Sequence, residues 1–220
     1  MTLHVAAVYF DYERGYCGFL LGADRRSGNY IPRKAETGEG RDEARSIDQQ
    51  VVLIDKSFRS PNTIGFCSGE FRWPKGEHER LFRSLDNSFE GISEESDYSK
   101  HPTLTQANYA VLSVVQRNER KLELYGVYVK KAGESVEVKV RKHRELRRGP
   151  YKSVNDTAFW QDLTVQGTPK LLHDPGRKTW QEMIAHLLWT MRLQGKYAPE
   201  RISAPFDMYA IDFDGIRKVA

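Results

Sequence analysis

The stretch from 107 to 142 leaves the fewest folding options. It reads ANYAVLSVVQ, then KLELYGVYVK, then SVEVKVRK, with NER and AGE as the turn signals between them. The last two runs alternate apolar and polar residues cleanly, and a period of two places Glu137 and Lys139 on one face of a strand. Three such runs reversing at short turns form an antiparallel meander.

A second meander is predicted at the start of the chain. LHVAAVYF, YCGFLLGA and NYIPRK are separated by turns at Glu13, Arg14 and Gly15 and at Ser27 and Gly28. Residues 35–50 are polar and form a loop. QQVVLIDKSF and NTIGFCSGEFRW add two more strands, divided by SPN. Helical spacing appears twice. Leu81, Phe82, Leu85 and Phe89 mark a short amphipathic helix. Trp180, Met183, Ile184, Leu187, Leu188 and Met191 mark a longer one over 177–194, with Asp174 and Pro175 before it and Gly195 as its stop. Its apolar stripe reads as core. FDMYAIDF supplies a final strand. The acidic, Pro-broken stretch 93–105 lacks periodicity and reads as a linker. The expectation is an α+β, β-rich protein of two antiparallel units, 1–92 and 106–220, which stand as two domains or merge into one.

Composition narrows the functional classes. A chain of 220 residues can bury a core unaided, and 39% hydrophobic, 11% aromatic and 29% charged residues describe a soluble globular protein. Two cysteines, Cys17 and Cys67, exclude a disulfide framework and a four-cysteine zinc site, and fit a reducing, cytoplasmic setting. Neither a leader nor an 18-residue apolar run is present, so no membrane association is expected. The six histidines are scattered away from ligand spacing, and no phosphate-binding loop, dinucleotide glycine pattern or nucleophile elbow occurs. No cofactor is expected.

Charge is uneven. Twelve Lys or Arg face five Glu between Arg117 and Lys152, a local +7 in a chain of net +4. Lys139, Arg141, Lys142, Arg144, Arg147, Arg148 and Lys152 form a basic strand and loop suited to phosphate contacts. The run Tyr9, Phe10, Asp11, Tyr12, Glu13, Arg14, Gly15, Tyr16, Cys17, Gly18, Phe19, Leu20 resembles the first RNA-binding motif of cold-shock domains. That resemblance implies an OB-like barrel in which Tyr9, Tyr16 and Phe19 stack on bases and Arg14 lies near phosphate. Whether Tyr16 shares a face with Phe19 turns on whether Cys17 occupies a bulge.

The leading expectation is therefore a nucleic-acid-binding protein, or the nucleic-acid-facing subunit of a larger complex. An alternative is a metal-dependent nuclease. Glu123 with the Glu137 and Lys139 triplet resembles the PD-(D/E)xK hairpin, in which carboxylates hold Mg2+ or Mn2+ and the lysine stabilises charge. A second nuclease reading uses Asp11 with Asp212 or Asp214, as in RNase H-like folds. A further alternative is a protein-interaction subunit that docks another chain.

Overall fold

In a computed structural model the protein is described over residues 3–31, 48–53, 55–69, 89, 91–100, 109–149, 159–163, 179–197, 199, 202 and 204–220. Among the described residues the strands are β1 (Leu3–Asp11), β2 (Tyr16–Asp24), β3 (Arg26–Ile31), β4 (Asp48–Leu53), β5 (Ser57–Ser60), β6 (Thr63–Gly69), β7 (Tyr109–Asn118), β8 (Lys121–Ala132), β9 (Ser135–Arg147), β10 (Phe159–Leu163), β11 (Phe206–Asp212) and β12 (Gly215–Lys218), and the helix α1 (Trp180–Tyr197) lies between β10 and β11.

Two five-stranded antiparallel sheets result, ordered β10-β1-β2-β11-β12 and β5-β6-β7-β8-β9, beside a two-stranded β3-β4 ribbon. The burial of β1 explains the layering. Ala6 and Val8 join Phe19, Leu21 and Ile211 against Ile64, Phe66, Leu112, Val114 and Leu124 of the facing sheet. On the opposite face Leu3, Val5, Ala7 and Tyr9 pack with Met183, Leu187 and Met191 of α1. LHVAAVYF is apolar throughout because both of its faces are covered. The second sheet has a third apolar layer on its outer face, where Val111, Val127 and Val129 meet Phe58, Phe89, Ile92 and Tyr98. Each fully buried Leu, Val or Phe contributes about 1.5–3 kcal/mol to holding the layers together.

Several expectations change. Strands from both halves of the chain share each sheet, so the 93–105 stretch does not separate two sheet units. In its described part, 93–100, Tyr98 is buried in the outer layer while Glu94, Glu95, Asp97, Ser99 and Lys100 are exposed. The opening hairpin lies at the centre of an open sheet whose order ends in β10 and β12. Its ladder runs without a register shift through Asp11↔Tyr16, Phe10↔Cys17, Tyr9↔Gly18 and Val8↔Phe19, so Cys17 sits in no bulge. QQVVLIDKSF divides into β4 and β5 around Lys56.

The long helix begins later than predicted. Thr179 and Glu182 form a capping box, with Glu182 accepting from the Thr179 amide at 2.9 Å and Thr179 Oγ1 accepting from the Glu182 amide at 3.3 Å. Gly195 lies inside the last turn rather than after it. Asp174, Pro175 and the predicted helix near 76–89, Phe89 apart, lie outside the described residues.

Two glycines fix the central hairpin. Gly15 closes its turn at φ +72°, where a Cβ is disfavoured. At Gly18, directly opposite Tyr9, an added Cβ would fall 2.6 Å from the Tyr9 ring. No helix among the described residues is long and apolar enough to cross a membrane.

Candidate active site

The most unusual chemistry lies where β1 begins and β2 ends. Antiparallel pairing of the two strands brings residue 4 opposite residue 23, so Asp24 arrives beside the first described residue. Its Oδ1 accepts the Leu3 amide at 2.8 Å. The same oxygen lies 3.4 Å from Lys56 Nζ. Both side chains are buried, Lys56 at 4% exposure and Asp24 at none. The lysine is pinned from two directions. Its carbonyl accepts the Cys67 amide at 3.1 Å, tying it to β6, and the Asp55 carboxylate accepts both the Ser57 amide and hydroxyl, folding the chain sharply into β5.

Taking two charges out of water costs several kcal/mol per ion before their attraction is counted. A buried pair is therefore weak evidence for stability and stronger evidence for chemistry. Burial pulls the Lys56 ammonium below the usual lysine range, opposed by Asp24. His4, on the next residue of β1, is buried against Phe66 at 6.2 Å between ring centres. Burial and the Lys56 charge hold its imidazole at about 3, so it is neutral near pH 7. Burial pushes the Cys67 thiol up, against the pull of Lys56, which leaves it a thiol and a poor nucleophile.

An adjacent ion network fixes the strand ends that carry this pair. Arg25 grips Asp207 of β11 bidentately at 2.5 and 2.8 Å, and Lys218 of β12 reaches the same carboxylate at 2.7 Å. Asp24 thus projects from a β2 terminus that Arg25 ties to β11 and, through Asp207, to β12. A lysine with lowered proton affinity, held by a carboxylate in a dry site, can orient and stabilise charge on an attacking hydroxyl. Thr2, which precedes Leu3 in the sequence, lies outside the described residues.

The residues expected to bind nucleic acid separate into three groups. Tyr9 and Phe19 are core, each about 1% exposed, and no base can stack on them. The Tyr9 hydroxyl instead donates to buried Asp212 at 2.9 Å and accepts from Arg217 at 3.2 Å. Tyr16 is also buried and packs edge-on to Phe213. It also takes part in a second group, where Arg14, Tyr16 and Arg148 converge. Arg14 and the Tyr16 hydroxyl both donate to Asp214 at 2.5 Å, Arg148 reaches it at 3.4 Å, and the Arg148 guanidinium lies 5.4 Å over the Tyr16 ring. These residues line a cleft of about 630 Å³ with Gly15 and Gly149.

The third group runs along β9. Lys139 and Arg141 are exposed, Lys142 pairs with Glu123 and Glu145 at 3.6 Å, and Arg147 pairs with Glu145 at 2.7 Å. Arg144 is half-buried opposite Leu124. Lys152 lies outside the described residues.

The nuclease constellation is not assembled. Glu123 stands opposite Glu145, whereas Glu137 stands opposite Lys130 and Lys139 opposite Tyr128. Seven residues of β8 separate the Glu123 and Glu137 levels, about 23 Å at ~3.3 Å per residue. Glu123 is occupied by Arg117 at 2.6 Å, Lys121 at 2.7 Å and the Tyr125 hydroxyl at 2.9 Å. Asp11, Asp212 and Asp214 do converge, but on Arg14, which lies within 3.8 Å of all three. No group of three His, Cys, Asp or Glu suited to a metal occurs among the described residues.

Sequence reasoning missed Asp24 and Lys56. A signal for both was present: an acid ending the apolar run FLLGAD and a lysine directly after VVLID. Each charge abuts a segment too apolar to be a surface strand, but only tertiary pairing shows that they meet.

No family model and no curated protein matches the chain. Among solved structures it is similar to the Anbu (Gly-1) mutant from Hyphomicrobium sp. strain MC1, at 15% identity and a TM-score of 0.50, over 100% of this chain and 88% of that one. The likeness is one of fold.

Proposed function

We propose that the protein is an amide-bond hydrolase in which Thr2 is the nucleophile, Lys56 the charged partner that lowers the proton affinity of its hydroxyl, and Asp24 the residue that holds both in place. The buried Asp24–Lys56 pair carries this reading, because the carboxylate binds the Leu3 amide and the lysine with one oxygen. Leu3, whose amide Asp24 binds, directly follows Thr2 in the sequence. The likeness in fold to Anbu accompanies the proposal without carrying it.

The chemistry requires Thr2 to be the first residue of the mature chain. Its α-amino group then accepts the hydroxyl proton as Oγ1 attacks the amide carbon. The C–N bond breaks and the leaving amine takes that proton. Water, activated by the Thr2 α-amino group, hydrolyses the resulting ester and restores the hydroxyl. Lys56 stabilises developing negative charge on Oγ1 from a site that excludes water. Neutral His4 keeps a second positive charge away from the lysine.

Intact mass and amino-terminal sequencing first establish whether Thr2 is terminal. Peptide arylamides are then offered to the protein, Thr2→Ala and Lys56→Met. The reading predicts turnover by the parent protein, none by Thr2→Ala, and a loss of about 100-fold or more in kcat for Lys56→Met. Equal turnover by all three proteins would remove these residues from the chemistry.

A second reading is favoured by the convergence of Arg14, Tyr16 and Arg148. Two arginines at the mouth of one cleft suit contact with a phosphate backbone, in keeping with a nucleic-acid partner. Oligonucleotide binding that weakens steeply with salt and fails in Arg14→Ala/Arg148→Ala supports it. Salt-independent binding counts against it.

A further inference from the structure

The β9 edge joins three observations that the hydrolase reading does not use. First, β9 is 13 residues long and ends its sheet, so among the described residues its backbone pairs only with β8. The outward N–H and C=O groups of such a strand are a template for one more strand. Second, Val136, Val138 and Val140 are half-buried on the face that packs against the outer apolar layer, leaving the outer flank of that valine row uncovered among the described residues. Third, the alternate residues Glu137, Lys139 and Arg141 are exposed on the other face, and among the described residues Lys139 and Arg141 form no ion pair.

From this we infer that β9 is a docking edge for an extended polypeptide segment in which carboxylate side chains alternate with β-branched apolar ones. An added strand lies about 4.8 Å from β9. Its acidic side chains, two residues apart, then face Lys139 and Arg141, and its apolar side chains extend the Val138 and Val140 row. Lysines on an edge repel a second copy of the same edge, yet they attract a strand of opposite charge. The open backbone favours a polypeptide over a nucleic acid, because a phosphate chain meets the two cations but leaves the N–H and C=O row unpaired. Glu137 in the same row opposes a polyanion and matches a basic residue at the end of the docked segment.

The test uses the full chain and a labelled decapeptide of alternating Glu and Val, measured by fluorescence anisotropy. Comparison probes are the same peptide with proline at alternate positions, an alternating Lys and Val peptide, and single-stranded DNA. Backbone pairing predicts that proline weakens binding at least tenfold, that the lysine peptide does not bind, and that Lys139→Glu/Arg141→Glu loses the acidic peptide while unfolding at an unchanged temperature. Lys139→Glu/Arg141→Glu should leave arylamide turnover at the parent protein's level, which separates this edge from the hydrolase site. Equal binding of the proline peptide, or DNA binding as tight as the peptide's, would overturn the inference.

Discussion

Glu123→Gln probes the most heavily used carboxylate on the outer sheet. Glu123 is 3% exposed, and burial alone would raise its proton affinity. Arg117, Lys121 and Tyr125 more than reverse that effect, holding the carboxyl at about 2 against an ordinary 4.5. Each tenfold change in proton affinity corresponds to about 1.4 kcal/mol, so the ionised carboxylate contributes roughly 3 kcal/mol to stability at neutral pH. The sign follows from the depressed value. As pH falls through 4.5 the unfolded chain takes up the proton first, and the contribution is lost between about 4.5 and 2. The isosteric amide removes the charge and preserves volume, leaving Arg117, Lys121 and Lys142 around a neutral group.

Urea unfolding at pH 7 should therefore show Glu123→Gln destabilised by ~3 kcal/mol, and unfolding near pH 2.5 should show a much smaller difference. An equal loss at both pH values would mean that the effect is packing, and the electrostatic reasoning would fail.

Four other outcomes are expected. Gly18→Ala drives a methyl group into the Tyr9 ring and should cost about 1–3 kcal/mol in urea unfolding, whereas Gly18→Ala/Tyr9→Leu should recover part of that loss. Lys56→Met leaves Asp24 buried without its cation and should cost about 3–5 kcal/mol, with Asp24→Asn/Lys56→Met more stable than the single variant. His4 is held at about 3, so stability should fall as pH drops from ~6.5 toward 3, and His4→Leu should flatten that part of the profile measured by urea midpoint. Thr179→Ala removes the capping hydroxyl and should lower stability by about 1 kcal/mol, read as a lower thermal midpoint by circular dichroism.

The individual strands were legible because a half-buried strand writes its period into the sequence. KLELYGVYVK and SVEVKVRK became β8 and β9 with their turn where expected, and the long helix was visible from Met183, Leu187 and Met191. The fate of the opening rings was not legible. Tyr9 and Phe19 occupy opposite faces of an antiparallel pair, and a sequence cannot say whether one or both faces will be covered. Here α1 covers one and the second sheet the other, turning apparent stacking residues into core.

The candidate site depended still more on tertiary structure. Arg14, Tyr16 and Arg148 could be singled out one by one, but their meeting at Asp214 requires β9 to pass beside the β1–β2 turn. Lys56 lies 32 residues beyond Asp24 and was hidden inside an apparent single strand. What the sequence determined was local: alternation, helical period, turn chemistry and the concentration of positive charge, each fixed by neighbours a few residues away. What only the folded chain decided was which strands became neighbours. Long-range pairing exchanges loop-closure entropy for burial over the whole sheet, so it is set by the summed fit of both layers rather than by any one segment. That fit, and not a motif, brings a buried lysine and a buried aspartate together beside Leu3 at the start of β1.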